Sequence, residues 1–143
     1  MNVGIYIHIP FCKSRCIYCG FYSTTNKELK ERYVDALIRE IHMRKEDFAR
    51  LGTSLSPSST STVYFGGGTP SSLSVCDIER IVGALESTFN GTPSEVTLEM
   101  NPDDVTKDYI KAVRQMGINR ISMGIQTFDD SRLQFIRRRH NAS

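Results

Sequence analysis

Hydrophobic positions recur with a period of two at the start of the chain, where Val3, Ile5, Ile7 and Ile9 alternate with Gly4, Tyr6 and His8. That period predicts a strand with one apolar and one polar face, stopped by Pro10. From Lys27 to Leu51 the spacing becomes helical: Leu29, Tyr33, Leu37 and Ile41 form a stripe, with Val34 and Ile38 beside it. Thr25 and Glu28 read as a capping box at its start and Gly52 as its C-terminal stop. Thr53 to Thr62 holds eight Ser or Thr in ten positions and predicts a surface loop that adds nothing to a core.

The alternation then repeats. Val63 to Phe65 reads as strand, Ser74 to Asn90 as helix through Ile78, Ile81, Val82, Leu85 and Phe89, and Val96 to Met100 as strand. Thr106 to Met116 follows as a helix closed by Gly117, Ile121 to Ile125 as a strand, and Asp130 to Arg139 as a fourth helix. Four βα units at this spacing predict an α/β fold with a parallel sheet. The apolar sets Ile5 and Ile7; Val96, Leu98 and Met100; and Ile121, Met123 and Ile125 are expected under the helices. Tyr6, His8, Thr97, Glu99, Ser122, Gly124 and Gln126 are then left on the opposite face. With no helices over for that face, the sheet is expected to curve like part of a barrel and to hold a ligand on its polar concave side.

Composition narrows the classes. The 143 residues suit one compact domain, and 18 basic against 16 acidic side chains leave a net charge of +2, too small to draw nucleic acid or a membrane surface. The start carries no basic and apolar signal segment, and no run approaches the ~20 apolar residues of a membrane helix, so the expected location is cytoplasmic. Three of the four cysteines fall within eight residues, a density that in a reducing compartment points to metal rather than disulfides.

Cys12-Lys-Ser-Arg-Cys16-Ile-Tyr-Cys19 follows the first strand directly, in the loop position where parallel α/β folds place their sites. Three thiolates can hold three irons of a cubane cluster and leave the fourth iron open. A Zn2+ site completed by His8 or another histidine is the alternative, although no second Cys pair supports it. His8 and His140 are not assigned to the metal, and Cys76 reads as a buried small apolar residue. Gly66-Gly67-Gly68-Thr69 leaves the second strand with three residues lacking Cβ, which permits either a tight turn or a close backbone approach to a ligand. Glu99 is an acid amid apolar neighbours, costly there unless a cation or hydroxyl meets it. Gln126 and Arg138 allow ordinary surface readings, and Arg137 and Arg139 read as surface charge.

The Cys-x3-Cys-x2-Cys run with Tyr18 before its last cysteine resembles the signature of the radical S-adenosylmethionine (SAM) superfamily. Tyr6-Ile7-His8-Ile9-Pro10-Phe11, Gly66-Gly67-Gly68-Thr69-Pro70, Glu99-Met100-Asn101-Pro102, Gly124-Ile125-Gln126 and Arg138-Arg139-His140 resemble one branch of it, that of oxygen-independent coproporphyrinogen III oxidase and HemW. The resemblance runs from Tyr6 to His140. It implies that residues 1–143 are the N-terminal portion of a radical SAM core domain, the first four units of a partial TIM-type (β/α)6 barrel.

The same resemblance implies a [4Fe–4S] cluster on Cys12, Cys16 and Cys19, with SAM bound by Tyr6, Tyr18, Gly67, Gly68, Thr69, Glu99, Gln126 and Arg138. It implies reductive cleavage of SAM to methionine and a 5′-deoxyadenosyl radical, and an electron donor to supply the reduction. The oxidases carry a further cysteine two residues after the third; here that residue is Phe21, which favours a HemW-like haem chaperone over a porphyrinogen-decarboxylating oxidoreductase. Gly20, where that branch commonly has an acid, is a lesser departure. Haem or a porphyrin and a haem-acceptor protein are the further partners implied for the full-length protein.

Overall fold

The computed structural model describes residues 4–50, 62–89 and 92–142. Strand β1 (Gly4–Ile9) is followed by helices α1 (Lys30–Met43) and α2 (Lys45–Arg50), then by β2 (Thr62–Gly67), α3 (Val75–Thr88) and β3 (Glu95–Met100). Helix α4 (Lys107–Gln115), β4 (Arg120–Met123) and α5 (Asp130–Phe135) complete the order. Single 3-10 turns lie at Lys27–Leu29, Pro70–Ser72 and Pro102–Asp104. The strands form one parallel sheet in the order β1-β2-β3-β4, with Ile9 beside Gly67, Phe65 beside Leu98 and Met100 beside Met123. Among the described residues no helix is long and apolar enough to cross a membrane.

One face of the sheet carries the core. Ile7, Ile9, Val63, Phe65, Leu98 and Met100 are buried against Val34 and Ile41 of α1, Ile78, Ile81 and Leu85 of α3, and Val113 of α4. Helix α1 packs on α3 and α3 on α4, so the helical layer is continuous. The other face begins with Tyr6, 55 % exposed and stacked on its register neighbour Tyr64 at 6.0 Å between ring centroids. Thr97 lies on that face yet is fully buried, because Tyr64 and Arg120, its partners on either side, close over a small side chain that donates to Glu95 Oε1 at 3.1 Å.

Local chemistry sets the helix ends. Ser74 and Asp77 form a reciprocal capping box at α3, and Thr106 Oγ1 accepts from the Tyr109 N–H at 3.1 Å at α4. Helix α4 ends in a Schellman turn: Ile118 N donates to Val113 O and Gly117 N to Arg114 O, with Gly117 at φ +87°. Helix α5 ends the same way, with Arg138 N on Leu133 O and Arg137 N on Gln134 O. There the left-handed position is filled by Arg137 at φ 57°.

Several sequence expectations need correction. The first long helix is broken at Arg44 into α1 and α2, and its start is capped by Asn26, which accepts from the Glu28 N–H at 3.0 Å, rather than by Thr25. Thr24 Oγ1 in turn accepts from the Asn26 N–H, which turns Asn26 into the capping position. Gly52 and the Ser/Thr-rich stretch up to Ser61 lie outside the described residues, while Thr62 opens β2. Met123 and Ile125 are 45 % and 37 % exposed rather than covered, because β4 borders the sheet and stops at Met123. Helix α5 stops at Phe135, four residues short of Arg139, because the left-handed turn at Arg137 reverses the chain. Cys76 is exposed on the first turn of α3 instead of buried.

The ends of β1 and β2 meet with no room to spare. Gly68 N donates to Ile9 O at 2.8 Å, and a Cβ on Gly68 would stand 3.0 Å from Cys12 Sγ, Phe11 O and the Pro10 carbonyl carbon. Because two of those three neighbours are backbone, Gly68→Ala should cost about 1–3 kcal/mol of stability in urea denaturation. A Cβ on Gly117 would meet nothing within 4 Å. Gly117→Ala therefore isolates the cost of the left-handed backbone, and a loss of about 1 kcal/mol is expected by the same measurement; an unchanged midpoint would refute the role given to Gly117.

Candidate functional site

The loop after β1 is tied at its neck. Thr24 N donates to Pro10 O at 2.7 Å and Cys12 N to Thr24 O at 2.9 Å, a short parallel bridge that holds Phe11 against Thr24. Residues 12–23 thus form a closed loop on a fixed stem, seated on the buried ring of Phe11. Within it Cys19 N donates to Cys16 O, a turn that brings the second and third cysteines round together. Cys12 is buried, Cys16 and Cys19 are half-buried, and all are free thiols. Among the described residues no three His, Cys, Asp or Glu side chains, the three cysteines included, converge as a ready-made metal set.

The three cysteines line a cleft of about 260 Å³ at the C-terminal edge of the sheet. Gly67, Gly68 and Thr69 form its wall from β2, Glu99 from β3, and Gln126, Arg138 and Tyr18 from the loops. Thr69 Oγ1 lies 3.5 Å from Cys12 Sγ. Gly67 is at φ +114°, and a Cβ there would stand 2.7 Å from the His8 ring, so neither the backbone nor the space admits another residue.

Polar groups around the cleft are poised by one another. Glu99 Oε1 accepts from the Tyr64 hydroxyl at 2.6 Å, the hydroxyl partner that an acid in this strand required. That bond, with burial second, raises the Tyr64 phenol above its ordinary pKa. Burial raises the Tyr18 phenol, aided by Cys16 and opposed by Arg138. Arg138 is drawn inward by the turn at Arg137: its guanidinium donates to Gly124 O and lies 3.7 Å from Cys16 Sγ, while its buried Nε–H has no partner among the described residues. An orphan donor of this kind suits a ligand oxygen.

Of the residues that the resemblance assigns to the cluster or SAM, Tyr6 alone stands outside the cleft lining. It hydrogen-bonds His8 Nδ1 at 3.4 Å and stacks on Tyr64, whose hydroxyl holds Glu99. His8 Nε2 lies 3.2 Å from Tyr22 O and His140 Nε2 3.1 Å from Ile125 O, while the buried His140 Nδ1 has no partner among the described residues. Arg137 and Arg139, read as surface charge, are exposed residues at the rim of the cleft, and Arg139 pairs in addition with Asp103 at 2.9 Å. Asp104 escaped the sequence reading because acids after a Pro102 turn read as ordinary loop polarity. Asn101 lines the cleft too, signalled only by its place in the Glu99-Met100-Asn101-Pro102 run.

Comparison with known proteins agrees with this geometry. The haem chaperone HemW of Synechocystis sp. is 35 % identical over 148 residues, covering 98 % of this chain and 34 % of that protein. Anaerobilin synthase of Escherichia coli O157:H7 is 39 % identical over 127 residues, covering 87 % of this chain and 27 % of that protein. The chain thus spans about a third or less of the length of these relatives. The solved structure of the E. coli coproporphyrinogen III oxidase HemN, a radical SAM enzyme, superposes with a TM-score of 0.85 at 31 % identity, covering 98 % of this chain and 31 % of that one. The family model of the radical SAM superfamily matches residues 6–143, and with the cysteine loop set at the sheet edge as described, the chain belongs to that superfamily.

Proposed function

We propose that this chain is the N-terminal portion of the core domain of a HemW-like haem chaperone that binds a [4Fe–4S] cluster and SAM. The observation that carries the reading is the stem-pinned loop of three free thiols opening onto a cleft walled by Gly67, Gly68 and Thr69. Membership of the superfamily implies the cluster and SAM. The donor set fits: three thiols, a wall cleared of Cβ atoms, and a buried Nε–H without a partner among the described residues on Arg138, a residue of the same lining.

Cys12, Cys16 and Cys19 would each ligate one iron and leave the fourth open to SAM. When bound, the cluster supplies one electron to the SAM sulfonium. The protein's own groups bind and orient. The Gly67 and Gly68 backbone and the Thr69 hydroxyl would hold the amino-acid end of SAM. Glu99, with Oε1 on the Tyr64 hydroxyl, keeps lone pairs for further hydroxyls, and Arg138 and Gln126 line the same cleft. Tyr18 would set an aromatic face beside the cluster and shed water from it. Tyr6 would act through Tyr64 and Glu99 rather than by contact. Four free thiols suit a reducing, cytoplasmic location.

Phe21, 64 % exposed at the mouth of the cleft, separates the two readings of this branch. It stands two positions after Cys19, where the resembling oxidases carry a cysteine, and it favours the chaperone. The close superposition on HemN keeps an anaerobic coproporphyrinogen oxidase as the second reading.

Anaerobic reconstitution with iron and sulfide should load about four irons per chain and give a brown chromophore that bleaches on reduction. Replacing Cys12, Cys16 and Cys19 together by Ala should abolish it; a retained chromophore, or stoichiometric zinc in its place, would overturn the cluster assignment. The full-length protein should shift the Soret band of added haem and leave coproporphyrinogen unconverted under anaerobic, reducing conditions with SAM. Conversion would transfer the protein to the oxidase reading.

A further inference from the structure

A single buried acid joins the cysteine loop to the far wall of the cleft. Asp104 closes the 3-10 turn after β3, and its side chain is 4 % exposed. Oδ1 forms an ion pair with Lys13 of the cysteine loop and lies 3.6 Å from the Arg139 guanidinium. Oδ2 accepts from the Ser71 hydroxyl at 2.8 Å, and Ser71 Oγ in turn accepts from the Asn101 N–H at 3.0 Å. Four pieces of chain meet at this carboxylate: the loop after β1, the turn after β2, the turn after β3 and the segment that follows α5. The charge is felt beneath it as well, since the Tyr109 phenol is pushed up to about 12, by burial first and by Asp104 second.

Stability alone is a poor account of such a group. Buried ion pairs are frequently no more stabilising than apolar side chains of the same volume, whereas they impose a single geometry on the groups they join. What they join here is specific. Lys13 is the residue after Cys12, and Arg139 is the residue after Arg138, whose guanidinium reaches Cys16 Sγ and Gly124 O. Each cation that Asp104 contacts is one peptide bond from a group of the site, and Arg139 is held by Asp103 at 2.9 Å as well.

We propose that Asp104 is a positioning residue that fixes the cysteine loop, through Lys13, relative to the segment that carries Arg138, through Arg139, with Asp103 as a second hold on Arg139. The proposal rests on the cluster-and-SAM reading and adds to it the means by which these two segments are kept in register. The Lys13 arm governs how firmly the loop grips the cluster, and the Arg139 arm governs how Arg138 meets SAM.

The test compares reconstituted wild type with Asp104→Asn, Lys13→Met and Arg139→Met. It measures iron content, the rate at which a chelator bleaches the chromophore, and SAM affinity from the change SAM makes to the EPR signal of the reduced cluster. Asp104→Asn keeps the shape and removes the charge; it should load iron as wild type does, yet bleach about tenfold faster and bind SAM about tenfold more weakly. Lys13→Met should reproduce the faster bleaching and Arg139→Met the weaker binding, a division that general destabilisation would not produce. Should Asp104→Asn fail to fold, the two cation variants carry the test. Bleaching and SAM affinity within about twofold of wild type in every folded variant would overturn the proposal. A wild-type chain that loads no iron would overturn the cluster reading together with it, so the two failures are told apart by the wild type.

Discussion

Parallel pairing is the constraint from which the rest of this structure follows. With all four strands running one way, the loops that leave β1, β2, β3 and β4 emerge at the same edge, and the register Ile9–Gly67 and Met100–Met123 sets the strand ends side by side. Parallel neighbours cannot be joined by tight hairpins, so each connection needs a crossover, and α1, α3 and α4 supply the layer that buries one face. The other face is left to Tyr6, Tyr64, Glu99 and Ser122. A cysteine loop, a glycine run and an acid that are far apart in sequence become three walls of one cleft because the parallel pairing brings their strand ends together.

Close approach at that edge sets a second condition. The end of β2 comes so near the start of the cysteine loop that Gly68 has Cys12 Sγ and two backbone atoms at the distance where any Cβ would stand. Gly67 faces the His8 ring under the same restriction and at a positive φ. The glycines therefore serve packing and ligand access together: the missing side chains let the strand ends touch, and they leave backbone groups open toward the cleft.

Patterns governed by local periodicity were legible before any coordinates. The period of two in β1 and β3, the helical spacing in α3 and α4, and the Ser74, Thr106 and Gly117 end signals all depend on interactions within a few residues. The need of Glu99 for a cation or a hydroxyl was legible too, although which of the two meets it, the Tyr64 hydroxyl, is set by registry between strands that no local pattern encodes. Features decided by neighbours across the sheet were not legible. Thr97 lies on the expected face, but its burial comes from side chains of two other strands; Met123, expected under the helices, is exposed because β4 has a neighbour on one side only. The stop of α5 hid because a left-handed arginine carries no glycine to announce it. Arg139 and Asp104 looked like surface polarity because their pairing is between segments about 35 residues apart, a contact that only the parallel edge creates.

That left-handed arginine ties the end of the chain to the chemistry at its start. A non-glycine residue at positive φ costs of order 1 kcal/mol, and a buried N–H without a partner costs about 1–3 kcal/mol more. Arg137 carries the first cost and Arg138 Nε the second, side by side in sequence. The bonds Arg138 N to Leu133 O and Arg137 N to Gln134 O offset part of the first cost, and the second is met by no partner among the described residues. The reversal at Arg137 sends Arg138 back to Gly124 O and Cys16 Sγ and brings Arg139 to Asp103 and Asp104. Strain and an unmet donor are concentrated where the last segment folds over the cysteine loop, which is the place where a ligand oxygen would repay the unmet donor and where an ordered far wall matters most.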